Sequence, residues 1–276
     1  MAMNKPCNST ALTVTFDTNT LASVISPATA QRGTEVSGAT VQAAIQAGRI
    51  QGFFSETIIT LEGIQNKDRS EVLGKTQVVS ETTSNGKNTI TLTVGTRHVR
   101  KSLDTRFSAR VQAAFKLGIR PLRTAARMGS YHLREKDYPL FEPTGGILEL
   151  VHCMDKVHEM TTEIARRGVG QAVGVKLGLQ FSERESANKP ELWLQGLEHA
   201  RNKSERKKVA EAIREWADGD SVAGHYGFGM QLFCTEDSGR NGTGPSVLDN
   251  NNRNWLSNEF GLKFVTLAEL AAQIQS

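Results

Sequence analysis

Apolar and polar positions alternate from Leu12 to Phe16, and the alternation stops at Asp17-Thr18-Asn19-Thr20, whose short polar side chains suit the start of a helix. The pattern predicts a strand with an acid at its end. Over residues 37–47, Val41, Ala44 and Ile45 fall at helical spacing, Gly48 is placed to end that helix, and residues 51–55 predict a short strand. The first sixty residues therefore predict β-α-β. Residues 56–62 predict a helix with Ile58, Ile59 and Leu61 turned inward and Glu62 at its accessible end. Residues 76–80 and 89–94 are β-rich runs on either side of Asn85-Gly86, the signature of a hairpin that interrupts the α/β alternation.

Further along, Phe107, Val111, Ala114 and Phe115 share one helical face that Gly118 ends, with Arg106 and Arg110 on its flank. Residues 148–167 and 191–217 predict helices, the second with Val209, Ile213 and Trp216 in register. The glycine-rich stretch 168–186 between them shows no clear period. From Asp220 the alternation resumes with a short helix through Ala223 and Tyr226, a strand over 230–234, an Asn/Gly-rich loop, and a helix ending near Phe260-Gly261. A strand over 263–265 then meets Thr266 and Glu269, spaced as a capping box that opens the terminal helix. Both ends of the chain predict an α/β core, residues 10–66 and 211–276. The middle, 67–210, predicts an inserted basic hairpin and helical region.

Composition excludes some classes. With 38% hydrophobic and 22% charged residues in a chain of 276, wholesale disorder is excluded. No apolar run approaches the roughly 20 residues that span a bilayer, and the first residues lack the apolar stretch of a secretory signal. A cytoplasmic location without membrane contact is expected. Cys7, Cys153 and Cys234 are odd in number and far apart, which suggests neither a disulfide framework nor a CxxC zinc site. The net charge of +4 hides a concentration: residues 97–136 hold eleven Lys and Arg against two acids, +9 locally, so the rest carries −5. Arg106, Arg110, Arg120, Arg123 and Arg127 are candidate contacts to a polyphosphate backbone, with Tyr131 and His132 nearby to stack on bases. His152, Asp155 and Glu159 share a helical face, but no distant ligand matches them, and a solvated face is the better reading. Gly224, Gly227 and Gly229 fit close packing, since no phosphate-binding fingerprint precedes them.

The candidate chemistry lies in the acids. Asp17 ends the first strand, Glu62 an early helix, Asp220 opens a late helix and Asp237 follows the strand over 230–234. In an open parallel sheet, functional groups gather at the carboxyl ends of strands. Clustered carboxylates repel and raise one another's pKa, and a hard divalent cation such as Mg²⁺ or Mn²⁺ resolves that conflict. Each acid also has a bland reading: Asp17 as a helix cap, Glu62 as a solvated residue, Asp220 as a cap with Asp218 in its place if the boundary slips, and Asp237 as the start of a turn with Ser238-Gly239. Glu56, Asp218 and Glu236 stand beside the proposed ligands, and a shift of one helical turn swaps their roles.

Four short segments resemble the PIN-domain family. Val14-Thr-Phe-Asp17-Thr-Asn19 resembles its opening strand and D-x-N; Ser55 to Glu62 resembles its S-x6-E; Asp220-Ser-Val-Ala223 resembles its third acid on a helix; Phe233-Cys-Thr235-Glu-Asp237 resembles the T-x-D after its fourth strand. The resemblance covers roughly residues 10–66 and 215–274. It implies a three-layer α/β/α sandwich with a mainly parallel sheet, and a Mg²⁺- or Mn²⁺-dependent endoribonuclease that hydrolyses phosphodiester bonds with activated water. Asp17, Glu62, Asp220 and Asp237 would be the metal ligands and catalytic acids, and Asn19 and Thr235 would orient Asp17 and Asp237. The long middle segment departs from compact members such as the toxins of toxin-antitoxin pairs. The alternative is a catalytically inactive PIN-like module that binds RNA or a protein partner. RNA is the expected partner; a regulatory protein and a homo-oligomer are compatible with either reading. A phosphatase of the haloacid-dehalogenase type is disfavoured because Asn19 stands where that chemistry needs a second Asp.

Overall fold

A computed structural model describes residues 11–29, 33–75, 77–84, 90–97, 105–124, 140–185, 192–239 and 244–275. The chain runs β1 (Leu12–Phe16), α1 (Thr18–Ile25), α2 (Glu35–Gln46), β2 (Ile50–Ser55), a π-helical turn (Ile58–Glu62), α3 (Arg69–Gly74), β3 (Gln77–Ser84), β4 (Ile90–Arg97), α4 (Thr105–Lys116) and β5 (Arg120–Leu122). It continues through α5 (Gly146–Arg166), α6 (Gln171–Glu185), α7 (Trp193–Gly196), α8 (Lys203–Gly227), β6 (Leu232–Cys234), α9 (Asn250–Phe260), β7 (Phe264–Val265) and α10 (Leu267–Gln275). The central sheet is parallel throughout, in the order β5-β2-β1-β6-β7. The fold is an α/β/α sandwich. The hairpin β3-β4 forms a separate antiparallel pair, with Ser84 opposite Ile90; its Asn85-Gly86 turn lies outside the described residues.

Strand alternation assigns the layers. Val14 and Phe16 of β1 face α1, α2, α4 and α10, packing with Leu21, Val24, Val41, Val111 and Leu270. Phe233 of β6 faces the other way, with Val157 and Met160 of α5, Val222 of α8 and Leu256 of α9. A third cluster lies beyond the sheet, where Leu61 and Ile64 meet α3, α6, α7 and the first half of α8 through Leu73, Phe181, Leu194 and Trp216. The edge strand β5 and helix α4 come from the stretch read as an insertion. Residues 105–122 thus belong to the sheet and its core rather than outside them, because β5 pairs in register with Phe53 to Ser55 of β2.

Two helices depart from the sequence expectation. Residues 203–227 form one continuous helix where the pattern suggested a break after Ala217. Asp218-Gly219-Asp220 has the composition of a helix boundary, yet Gly219 is there for close approach: a Cβ on it would come within 3.0 Å of the Gly170 backbone. Residues 171–185, patternless in sequence, are α6, whose Gly178 lies backbone to backbone against Trp193 and Gly196. Small residues carry that packing, so apolar periodicity could not report it.

Thr15 points to the opposite face from its neighbours and its hydroxyl meets His225 Nδ1 at 3.0 Å. Burial pushes the His225 pKa from 6.5 down to about 3, so the ring stays neutral in the fold. A depressed histidine pKa costs stability in acid: from about pH 6.5 downward the unfolded chain takes up a proton that the folded one refuses. Urea unfolding should show a loss of about 3 kcal/mol between pH 6.5 and 4 from this group, and His225→Gln should flatten that part of the decline. An unchanged slope in the variant would count against the assignment.

Candidate active site

The order of the sheet sets the site. From β1 the chain steps outward through β2 to β5, then returns to place β6 on the other side of β1. The connections diverge between β1 and β6, and the crevice at their carboxyl ends is where open α/β sheets bind ligands. Asp17 leaves β1 there, and Thr235 to Asp237 leave β6 there.

Asp17 is buried and caps α1, its Oδ1 accepting from Thr18 N at 2.7 Å. Its Oδ2 accepts from Thr235 Oγ1 at 2.8 Å and from Asn19 Nδ2 at 3.1 Å. Thr235 Oγ1 in turn accepts from Asp237 N at 3.0 Å, and Asn19 Oδ1 accepts from Glu236 N at 3.3 Å. The two strand ends are thus tied through one carboxylate. The helix-cap reading of Asp17 holds, and it uses one oxygen, with the other bound by Thr235 and Asn19.

Glu62 closes the π turn. A regular helix was expected there; the β-branched run Thr57-Ile58-Ile59-Thr60, entirely buried, takes a wider turn instead. Arg69, itself buried, binds the carbonyls around that turn. Its Nε donates to Ile64 O at 3.1 Å, Nη2 to Glu62 O at 3.4 Å and Nη1 to Ala210 O of α8 at 2.8 Å. Thr18 Oγ1 donates to Glu62 Oε2. Burial and the Asp17 charge raise the Glu62 pKa from 4.5 to about 7, against the opposing effects of Thr18, Arg69 and Arg214.

On α8, Asp218 faces the other acids. Burial lifts the Asp218 carboxyl well above the usual range, and the charges of Asp17, Glu62, Glu215 and Asp237 lift it further. Asp220 is buried on α8 two residues on, about 200° around the helix. Burial also raises Asp17, opposed by the hydrogen bonds from Thr235 and Thr18, with Asp237 raising it and Arg253 lowering it. Asp237 makes the turn that its sequence suggested, Oδ1 accepting from Gly239 N at 2.8 Å, and still faces Asp17 and Asp218. Glu236 faces away: its Oε1 caps α10 at Leu267 N, 2.8 Å. Glu56 enters none of these interactions with the cluster.

Four carboxylates from four separate segments, Asp17, Glu62, Asp218 and Asp237, thus lie within reach of one another's charge. Among the described residues no group of three or more His, Cys, Asp or Glu side chains lies close enough together to hold a metal ion, at this cluster or at His152, Asp155 and Glu159. Arg253 borders it, with Nε held by Leu248 O at 2.8 Å and its guanidinium over the Phe264 ring. Its Nη2 is buried and has no hydrogen-bond partner among the described residues.

A cleft of about 350 Å³ opens from the acids along α6 and α8, lined by Lys176, Leu177, Arg214, Asp218, Asp237 and Ser246 among others. Glu215 braces its wall, Oε1 accepting from Gly170 N and Val247 N, both at 2.8 Å. Of the arginines expected to contact a polyphosphate, Arg123 follows β5 and so stands on the same edge of the sheet as the acids; Arg120 starts that strand at the opposite edge. Arg110 is exposed on α4 and Arg106 lies on the same helix. Arg127, Tyr131 and His132 lie outside the described residues, as does Cys7; Cys153 and Cys234 are free thiols in the core.

Sequence reasoning missed Arg69, Arg253 and the cleft, and named Asp220 with Asp218 as its substitute. Thr18 was visible only as a neighbour of Asp17. Among the described residues no helix is long and apolar enough to cross a membrane. Comparisons with family models, curated proteins and solved structures return no match.

Proposed function

We propose that the chain is a metal-dependent ribonuclease of the PIN-like kind, cutting RNA at the pocket formed by Asp17, Glu62, Asp218 and Asp237. The observation that carries this reading is the convergence of four distant acids at the divergence point between β1 and β6, with Asp17, Glu62 and Asp218 all shifted toward protonation. An all-oxygen carboxylate set fits Mg²⁺ or Mn²⁺. Asp17, Asp218 and Asp237 would hold the ion, with Glu62 beside them. When bound, it would supply Lewis acidity and an acidified water for phosphodiester hydrolysis.

The chain's own groups have separate tasks. Thr235, Asn19 and the Thr18 amide fix the Asp17 carboxylate, so that its position does not depend on the substrate. Thr18 occupies Glu62 Oε2, which leaves Oε1 to carry the proton that a pKa near 7 allows. Arg253, whose charge lowers the Asp17 pKa, offsets part of the cluster's negative charge.

A second reading, an inactive RNA-binding module, is favoured by the absence of a closed donor group among the described residues. One experiment separates them. End-labelled single-stranded RNA is incubated with the full chain in Mn²⁺, Mg²⁺ or EDTA, and fluorescence anisotropy measures binding in parallel. The nuclease reading expects cleavage with Mn²⁺ or Mg²⁺ and none with EDTA. Intact RNA under every condition, with binding retained, would favour the second reading; absence of both would remove each.

A further inference from the structure

The cleft beside the acids has a built-in polarity. Helices α6 and α8 run antiparallel, since Arg184 near the end of α6 binds Glu205 near the start of α8 at 2.6 Å, while Gly170 just before α6 packs on Gly219. Lys208 and Asp218 both line the cleft, ten residues apart on α8, or about 15 Å along the axis. Lys176 faces α8 from α6, and Arg214 stands between the two ends. The cleft acids other than the pocket pair are engaged: Glu215 holds the Gly170 and Val247 amides, and Glu211 pairs with Lys207 at 3.7 Å. Lys176, Lys208 and Arg214 form no ion pair with any described residue. Lys176 and Lys208, with Arg214 whose charge also reaches Glu62, therefore lead along a trough into a pocket of carboxylates, with Val173, Leu177 and Pro245 as an apolar surface between them.

We propose that this cleft is a binding bed for single-stranded RNA, in which Lys176, Lys208 and Arg214 hold consecutive phosphates and the apolar surface takes a base. The lining sets Lys176, Lys208 and Arg214 beside four acids, so the cations act as separate phosphate contacts rather than as a net positive field. The cavity, about 350 Å³, lies at the small end of the roughly 300–1,000 Å³ typical of small-molecule sites. The proposal rests on the nuclease reading for the direction in which the strand leads, but not for binding itself. It also shifts recognition from the arginines of α4 and β5 to a face that sequence patterning left unassigned.

The test uses the full chain in EDTA, so that no turnover occurs, with a fluorescein-labelled 12-nucleotide single-stranded RNA followed by anisotropy from 50 to 300 mM salt. Each phosphate contact on a single strand contributes about 0.7 to the slope of log affinity against log salt. The double variant Lys176→Gln/Lys208→Gln should lower that slope by about 1.4 and weaken binding about tenfold at the lower salt. Arg166→Gln/Lys263→Gln, an equal charge change at exposed positions away from the cleft, should leave the slope unchanged. Leu177→Glu, which puts an anion on the apolar surface without removing a cation, should also weaken binding. Wild-type affinity and slope in the lysine variant, or no RNA binding by the unaltered chain, would overturn the bed. Binding lost in the lysine variant with no cleavage in Mn²⁺ supports the bed and removes the nuclease reading. Cleavage in Mn²⁺ with an unchanged KM in the lysine variant removes the bed and leaves the nuclease.

Discussion

Asp17→Asn should reduce Mn²⁺-dependent RNA cleavage by roughly 10²–10³-fold, the loss that follows removal of a group aimed at transition-state charge. The replacement is nearly isosteric. The amide oxygen can still accept from Thr18 N at the start of α1, so the helix keeps its cap. What disappears is the negative charge that Thr235 and Asn19 hold in place. Because that charge is buried and helps to raise Glu62 and Asp218, the metal-free variant should melt at or above the wild-type temperature. The loss of activity would therefore not come from unfolding. Differential scanning fluorimetry gives the companion result. At Mn²⁺ about a hundredfold above its Kd, the wild type should gain about 2.7 kcal/mol, or about 5 °C for a chain of this size, and the variant should gain little. Undiminished cleavage, or an unchanged Mn²⁺ shift, would sink the assignment of Asp17.

The second large effect distinguishes two acids only two positions apart. Asp218→Asn should cost roughly 10²-fold in cleavage, whereas Asp220→Asn should leave the rate within a fewfold of wild type and act on melting temperature alone. The reason is phase: on one unbroken helix the residues project to different sides, and Asp218 lines the cleft and senses Asp17, Glu62 and Asp237. Single-turnover rates of the two variants at saturating RNA give the comparison. The reverse ranking would mean that the pocket is built around Asp220.

That pair also shows how far the sequence could be read. Strands β1 and β2, helix α2 and the terminal capping box were legible because each signal is local. At the box, Glu269 Oε2 accepts from Thr266 N at 2.7 Å while Thr266 Oγ1 accepts from Glu269 N at 3.2 Å, as the spacing predicted. Asp17, Glu62 and Asp237 were legible because each follows or closes a recognisable element. Asp218 was not. Its assignment depends on whether the chain breaks at Gly219, and that is decided by the Gly170 backbone, about fifty residues away in the chain. Arg69 left no local trace either, since its three carbonyl partners sit on the π turn, the loop behind it and α8. The edge strand β5, only three residues long, carries too short a pattern to be separated from the arginines around it.

The same brevity at the rims of the sheet has a consequence for association. Three residues at one border and two at the other expose very few unpaired backbone amides and carbonyls, so a foreign strand would find almost no template on which to extend the sheet. Strand addition, where it occurs, would have to use the separate hairpin β3-β4, whose eight-residue strands pair only with each other among the described residues, while the parallel core is poorly suited to seed fibrous aggregates.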